Sequence, residues 1–488
     1  MNTAVKLDRS NLPWLAFHTL GSLRYQPEIG IVHLGVGNFH RAHQALYTEE
    51  AMLAAGGDWG SCGVTLLDEP AMRDALAPQD NLYSVLQRDA TGERVVIVQA
   101  LQEILVLSQQ REQLMARFAN PATRIVSVTV TEKGYCYDPA TGGLDKAHAL
   151  VQHDLAHPDI PQSLPGLIVA ALKLRRANPF TVMSCDNLAH NGKVLRQVVV
   201  DFAAELDPEL GAWIASSVKF PSTMVDRIAP ATTEADRAAA ARVLGTPDTW
   251  PVPCESFRQW VIEDSFAMGR PAWEAAGATL VEDVIPYELA KLRMLNGTHS
   301  TLAYLSLLAG YATVDEAIAQ PALRLFIRNM MTDEIAPNLS VPESFDRLAY
   351  RDQLLARYAN PALKHRTAQI AMDGSLKLPP RLLGTIAERL AQGLPINRHA
   401  LAVAAWMRCW CGTADNGQAI EMSDPMAAHL QRIAAGSGGN APRLMAGLLS
   451  VSAIFPSGLA QNIPFQVAVQ NALLDLQRGV RAALKRLA

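Results

Sequence analysis

Little in this 488-residue chain points toward a membrane, a polyanion or an oxidising compartment. No apolar run approaches the roughly 18 residues that a membrane-crossing helix needs. The first 20 residues carry Lys6, Asp8 and Arg9, with neither a continuous apolar stretch nor a small-residue cleavage site, so a cytoplasmic location is expected. Charge of one sign is equally scarce. The 43 Lys and Arg against 47 Asp and Glu leave a formal net charge of −4, which gives no footprint for nucleic acid or an acidic membrane surface. Six cysteines are too few for a disulfide framework, and Cys62, Cys136, Cys185 and Cys254 are scattered, so reduced thiols are expected. Cys409-Trp-Cys411 is the one close pair, and no second pair or neighbouring histidine completes a zinc set, so no metal is expected. What remains is an ordinary globular chain, 49% hydrophobic and long enough for two cores. It suits a small-molecule partner, as a monomer or a small homo-oligomer.

Ile31-Val-His-Leu34 reads as a strand running into Gly35-Val-Gly37-Asn38-Phe39-His40, followed by helical sequence to about Ala55. Strand, glycine turn and helix in that order form a dinucleotide cradle. Gly35 permits the tight turn, and Gly37 lets backbone approach a pyrophosphate against the N–H groups of Asn38, Phe39 and His40. The third glycine of the general pattern is replaced by His40. His40 and His43 stand three residues apart without a third ligand, so they read as polar groups on the phosphate side rather than a metal pair. A second apolar run, Gly63–Leu67, ends in Asp68, placed to accept hydrogen bonds from the adenosine ribose and to repel a 2′-phosphate. NAD is therefore expected over NADP.

Further strands are expected at Val95–Val98, Arg124–Thr131 and Phe180–Ser184. Near-continuous apolar strands separated by helical stretches imply a parallel sheet covered on both faces, with ligands gathering at the carboxyl ends. Glu132, Lys133, Asp186 and Asn187 fall at such ends, although each is also ordinary turn chemistry. Val225-Asp226-Arg227 is a further polar insertion among apolar neighbours, compatible with a salt bridge or a substrate contact.

From Pro286 the strand signals fade and Ala- and Leu-rich helical patterns run to an amphipathic end at Asn471–Leu487. The expected division is 1–285, Rossmann-like and cofactor-binding, and 286–488, mostly helical and substrate-binding. The second part opens with Lys291-Leu-Arg-Met-Leu-Asn296-Gly-Thr-His299. At about 100° per residue an α-helix would spread Lys291, Glu288, His299 and Asn296 over roughly 140° of a mostly apolar helix. Taken singly, each of these residues reads as a satisfied core polar group. Together they supply a proton acceptor, hydrogen-bond donors and a second titrating group, the parts of a general-base site. Lys291 would need its pKa drawn down from about 10.4 toward neutrality, which burial can do. Tyr287 and Lys291 also stand at Tyr-x-x-x-Lys spacing, a pair that chance often produces.

Gly-x-Gly-x-Phe-His-Arg-Ala-His-Gln, Ser-Cys-Asp-Asn and Lys-x-x-x-x-Asn-x-x-His together resemble the polyol-specific long-chain dehydrogenase family over nearly the whole chain. Thr131–Cys136, Ser222–Ile228 and the stretch from His365 through Lys377 look more like its fructuronate reductase branch than its mannitol 2-dehydrogenase branch. His40 in the third glycine position is a feature of the family. The resemblance implies a Rossmann-like domain followed by a helical one, and a zinc-independent, NAD-dependent oxidation of a secondary alcohol. The implied reaction interconverts D-mannonate and D-fructuronate. In the roles it implies, Lys291 is the base, Asn187 and Asn296 hold the substrate oxygen, His299 orients substrate and lysine, and Glu288 relays the proton. Asp226 and Lys377 match substrate-contact positions. A sugar acid needs a cationic partner that a neutral polyol does not, and Lys133, Arg366 and Lys377 are the candidates. The alternatives are a mannitol or arabinitol dehydrogenase of the same family and a nucleotide-binding regulator without catalysis.

Overall fold

Alternation along the first strand decides how the N-terminal part is built. Val32 and Leu34 enter one apolar cluster with Val64, Val126 and Val182, while Ile31 enters another with Ile104, Ile125 and Met183. Such a strand is buried on both faces, the condition for a central parallel strand. In the computed structural model, which describes residues 6–21, 23, 26–362 and 364–487, Ile29–Leu34 lies at the centre of a five-stranded sheet. Residues 1–5 of the N-terminal stretch fall outside the described residues. The sheet order is Leu101–Val106, Gly60–Thr65, Ile29–Leu34, Ile125–Val128, Thr181–Ser184, and every pair is parallel. The order turns back at the first strand, giving the Rossmann-like switch point at its carboxyl end.

Two expected strands are corrected. Val95–Val98 belongs to Gly92–Val98, antiparallel to Tyr83–Asp89 in a separate three-stranded sheet with Val252–Glu255. The edge of the parallel sheet is instead Leu101–Val106, just after it. The strand expected to reach Thr131 stops at Val128, and Thr131–Gly134 is a short helix entered with Thr131 at φ +65°. Asp186 enforces that turn. Its carboxylate accepts from Val130 N at 3.0 Å, Thr131 N at 3.1 Å and the Tyr135 hydroxyl at 2.7 Å.

The chain divides into two compact units, Met1–Ile285 and Pro286–Ala488. The second is mostly helical around one large apolar core. Thr298–Ala309 and Asn397–Cys409, buried along most of their length, pack on each other, and Ile463–Leu476 packs on the latter. The amphipathic C-terminal stretch is two helices rather than one: Gly479, at φ +94°, separates Ile463–Leu476 from Val480–Arg486. Among the described residues no helix is long and apolar enough to cross a membrane.

Candidate active site

The glycine turn of the first unit is fixed by backbone. Gly35 has φ +93°, and a Cβ there would come within 2.0 Å of the Thr129 carbonyl oxygen. Its N–H and that of Val36 both donate to Val64 O, at 2.8 and 3.2 Å. Gly37 is different: it is exposed, and a Cβ there would have only Gly35 O within 4 Å, at 3.9 Å. That open approach fits a dinucleotide pyrophosphate, which needs backbone without a side chain in the way. Beneath the turn runs a directed chain of hydrogen bonds. The Thr129 hydroxyl donates to Gly35 O at 2.8 Å, so His33 Nε2–H must donate to Thr129 Oγ1, and His33 Nδ1 accepts from Ser127 Oγ, each at 2.8 Å. Burial holds His33 neutral by pushing its pKa well down.

Past the turn the expected helix is broken at His43 into Asn38–Ala42 and Gln44–Ala55. Asn38 is committed to the protein at both ends of its amide: Nδ2 donates to Pro230 O, and Oδ1 accepts from Arg41 Nη2, both at 2.8 Å. Phe39 stacks on His43, 4.9 Å between ring centroids. His40 is 2% exposed and stacks on His33 at 3.5 Å, and burial beside Arg41 draws its pKa down to about 3. His43 bonds Gln259 O at 3.0 Å. Both histidines are thus interior groups beside the turn. Arg41, fully buried and donating to Trp250 O at 2.7 Å, was not singled out from the sequence; its signal was a cation one residue past His40.

Asp68 lies exposed, three residues beyond its strand, with Oδ1 accepting from Ser108 Oγ at 2.7 Å and Gln109 Nε2 at 3.1 Å. Those bonds lower its pKa, so it is charged at neutral pH. Asn187 is exposed at the carboxyl end of Thr181–Ser184. Asp226 is buried and ends Thr223–Asp226, paired with Gln259 across the strands. Its neighbour Arg227 binds carbonyls, donating to Ala42 O at 2.6 Å and twice to Glu255 O. Lys133 is exposed on its short helix.

In the second unit the α-helical angles for Lys291, Asn296 and His299 do not hold. Ile285–Ala290 is α-helical, Lys291–Gly297 is π-helical, and α-helix resumes at Thr298. Bonds from i to i+5 bring residues five apart to adjacent places on one face, where an α-helix holds them about 140° apart. Lys291 and Asn296 are five apart. Lys291 is 8% exposed, Asn296 and Glu288 are half-buried, and Tyr287 packs edge-on against Phe345. His299 stacks on Tyr358 (5.2 Å, 18°) and meets His365 edge-on at 5.0 Å. Burial first, then His365, Arg381, Arg357 and Lys377, push its pKa well below the ordinary histidine value. His299 is therefore a neutral ring among cations. Lys377 is half-buried, donating to Met372 O at 2.6 Å with Asp373 at 3.9 Å. Arg366 is exposed, its backbone bridging to Thr313. Arg381, donating to Ser300 Oγ at 2.9 Å and Asn296 O at 3.4 Å, and Tyr358 were missed. A charged residue inside the apolar run Leu378–Leu383 was the available signal for Arg381.

The Mannitol dehydrogenase Rossmann domain model matches residues 29–275, and the Mannitol dehydrogenase C-terminal domain model matches 283–477. The chain belongs to the mannitol dehydrogenase family. It is thus an oxidoreductase. It is 46% identical to a D-mannonate oxidoreductase of Escherichia coli, covering 94% of this chain and 96% of that one. A mannitol 2-dehydrogenase of Phaeosphaeria nodorum is 40% identical, over 99% of this chain and 86% of that one. Pseudomonas fluorescens mannitol 2-dehydrogenase, solved as a ternary complex with NAD and D-mannitol, superposes with a TM-score of 0.81 at 39% identity, covering 99% of both chains. Similarity of this degree on both sides leaves the substrate to be argued from the site. Among the described residues no group of three or more His, Cys, Asp or Glu side chains is placed to hold a metal ion.

Proposed function

We propose that the protein catalyses the NAD-dependent interconversion of D-mannonate and D-fructuronate. The observation that carries the choice of a sugar acid is that the charges of Arg381, Arg357 and Lys377 act on His299, which burial first of all keeps neutral. A neutral polyol gains little from such a field, whereas a carboxylate in a partly desolvated site gains charge-assisted hydrogen bonds. Cofactor binding falls to Met1–Ile285, where Gly35 makes the turn, Gly37 leaves the approach open and Asp68 takes the ribose. NAD, when bound, supplies the two-electron acceptor for the hydrogen leaving the carbinol carbon. The base belongs to Pro286–Ala488.

Lys291 Nζ, held largely out of water, takes the hydroxyl proton, and Glu288 passes it toward solvent. The amides of Asn296 and Asn187 donate to the oxygen as negative charge develops on it, in the manner of an oxyanion hole. His299, kept neutral, can present one nitrogen as donor and the other as acceptor, and so orients the substrate without competing for the proton. Asp226, Lys377, Lys133 and Arg366 are assigned to substrate contacts.

The test is a panel of mannonate, altronate, mannitol and arabinitol with NAD, followed by NADH fluorescence and kcat/KM. Mannonate as the best substrate supports the reading. Mannitol as the best substrate makes the protein a mannitol 2-dehydrogenase, and NADH binding with no turnover of any of the four defeats catalysis altogether.

A further inference from the structure

The wide turn at Lys291–Gly297 is held from outside its own backbone ladder. Four consecutive carbonyls accept side-chain hydrogen bonds. Met294 O accepts from Thr298 Oγ1, Leu295 O from the Tyr358 hydroxyl at 2.8 Å, Asn296 O from Arg381 Nη1 at 3.4 Å, and Gly297 O from Thr301 Oγ1 at 2.8 Å. Thr298 and Thr301 belong to the following turn of the same helix, but Tyr358 ends Arg347–Tyr358 and Arg381 sits in a second π-helical stretch, Pro379–Leu383. The two π-helical stretches touch at Gly297, where a Cβ would come within 2.8 Å of Arg381 O. The Tyr358 hydroxyl is also 2.9 Å from Thr298 Oγ1, so two hydroxyl hydrogens serve three contacts. The ring of Tyr358 carries His299.

Changing the hydrogen-bond register of a helix leaves carbonyls short of partners, and a buried carbonyl without one costs about as much as a lost hydrogen bond. Leu295 O also accepts the Thr298 N–H, and the bonds added from neighbouring elements favour the wide register over the α register, which would rotate Asn296 away from Lys291. We propose that Tyr358 and Arg381 are positioning residues that hold Lys291–Gly297 in its wide form, keeping Lys291 and Asn296 on one face and His299 in place. The proposal rests on the reading of Lys291, Asn296 and His299 as the groups that meet the substrate. Arg381 adds a second effect through charge. The groups facing His299 are His365, Arg381, Arg357, Lys377 and Tyr358, and removing the Arg381 cation makes protonation of His299 easier.

The experiment uses the full chain with Tyr358→Phe, Arg381→Gln, Arg381→Lys and, as a milder change, Ser300→Ala. It measures amide hydrogen exchange of the peptide spanning 291–301 without substrate, NADH affinity, and kcat, KM and pH profile with mannonate and mannitol. Tyr358→Phe keeps the ring under His299 and loses the hydroxyl; it should speed exchange in that peptide and lower kcat, each by about tenfold, with NADH affinity unchanged. Arg381→Gln should do the same and move the acidic limb of kcat/KM to higher pH. Arg381→Lys should restore that limb but not kcat, since the shorter side chain does not bring its ammonium to the place from which Nη1 meets both Ser300 Oγ and Asn296 O. Ser300→Ala should fall between these and the parent.

Wild-type exchange and kcat in Tyr358→Phe and Arg381→Gln would overturn the proposal. Exchange accelerated throughout Pro286–Ala488 would overturn it as well, since both would then be ordinary core residues. If the parent oxidises no substrate while exchange responds locally as described, the functional reading fails and the positioning role stands. If the parent is active, Lys291→Ala is dead and the variants match the parent, the reverse holds.

Discussion

At Gly35 the backbone makes the turn: no other residue fits beneath the Thr129 carbonyl, and the supporting bonds come from main-chain groups and one buried histidine relay. At Lys291–Gly297 side chains make it, since four carbonyls in a row are met by hydroxyls and a guanidinium. The first arrangement tolerates no added atom but is indifferent to distant substitutions. The second can be retuned by changing a residue on a neighbouring helix. A cradle for a shared cofactor suits the first, and a site that must fit one alcohol among many suits the second.

The largest expected effect separates the chemistry from the cradle. Lys291→Ala should lower kcat by about 10² to 10⁴-fold, the usual worth of a general base, while NADH binds as before. Turnover within a few-fold of the parent would remove Lys291 from the mechanism. Next comes the contrast within the glycine turn itself. Gly35→Ala places a Cβ 2.0 Å from Thr129 O and should abolish NADH binding and lower Tm. Gly37→Ala meets open space, so it should fold normally and weaken NADH by about tenfold. Equal Tm losses in the two would show that the turn is not held as described.

Glu49 in the first unit and His299 in the second, both buried, should respond to pH in opposite senses, with His33 and His40 of the first unit siding with His299. Burial raises Glu49 from 4.5 to about 7, despite three hydrogen bonds from Gln99 and Ala100. Between those values the native state binds the proton that the unfolded chain has lost, so stability falls as pH rises from about 4.5 to 7, by at most about 3 kcal/mol. His299 is pushed the other way, below 6.5, so the unfolded chain takes up its proton first and stability falls as pH drops below 6.5. Urea titrations from pH 4 to 8 on the parent and Glu49→Gln check this: the variant should lose the decline toward neutral pH and keep the acid-side loss. A decline that survives in Glu49→Gln belongs to another group.

Much of the first unit was legible because glycine spacing and period-two burial are local properties, as Ile31–Gly37 illustrates. The direction of a short apolar strand is not local. Val95–Val98 has the same composition as its parallel neighbours, and its antiparallel partner is decided by a hairpin turn at 90–91. The residue types around Lys291 were legible too, but their angles were not, since seven residues of mixed apolar pattern fit an α and a π register equally well. What decides the register lies at Tyr358 and Arg381, far along the chain. His40 and Asp186 could be read two ways for a related reason: a polar residue beside a ligand-binding turn can equally be the strut that shapes it.

A smaller change is expected at Asp68. Held ionised by Ser108 and Gln109, it should favour NAD over NADP in kcat/KM, and Asp68→Ala should narrow the ratio by about tenfold. Equal use of both cofactors by the parent would sink the assignment.

The smallest effects should come from the exposed cations, Lys133 and Arg366. Both were candidates for the carboxylate partner, but a solvated side chain loses most of its electrostatic contribution to screening, on the order of 1 kcal/mol or less for an exposed pair. Lys377 and Arg381 are buried enough for both to lose basicity to desolvation, and a carboxylate near them would restore what burial costs them. Lys133→Gly and Arg366→Ala should therefore raise the mannonate KM by about two- to fivefold and leave mannitol unchanged, whereas Lys377→Met should raise it much further. Measured at two ionic strengths, the surface contributions should shrink in high salt while that of Lys377 persists. If Lys133→Gly instead costs mannonate more than Lys377→Met does, the carboxylate is held at the short helix Thr131–Gly134, and the cations that act on His299 serve the histidine rather than the substrate.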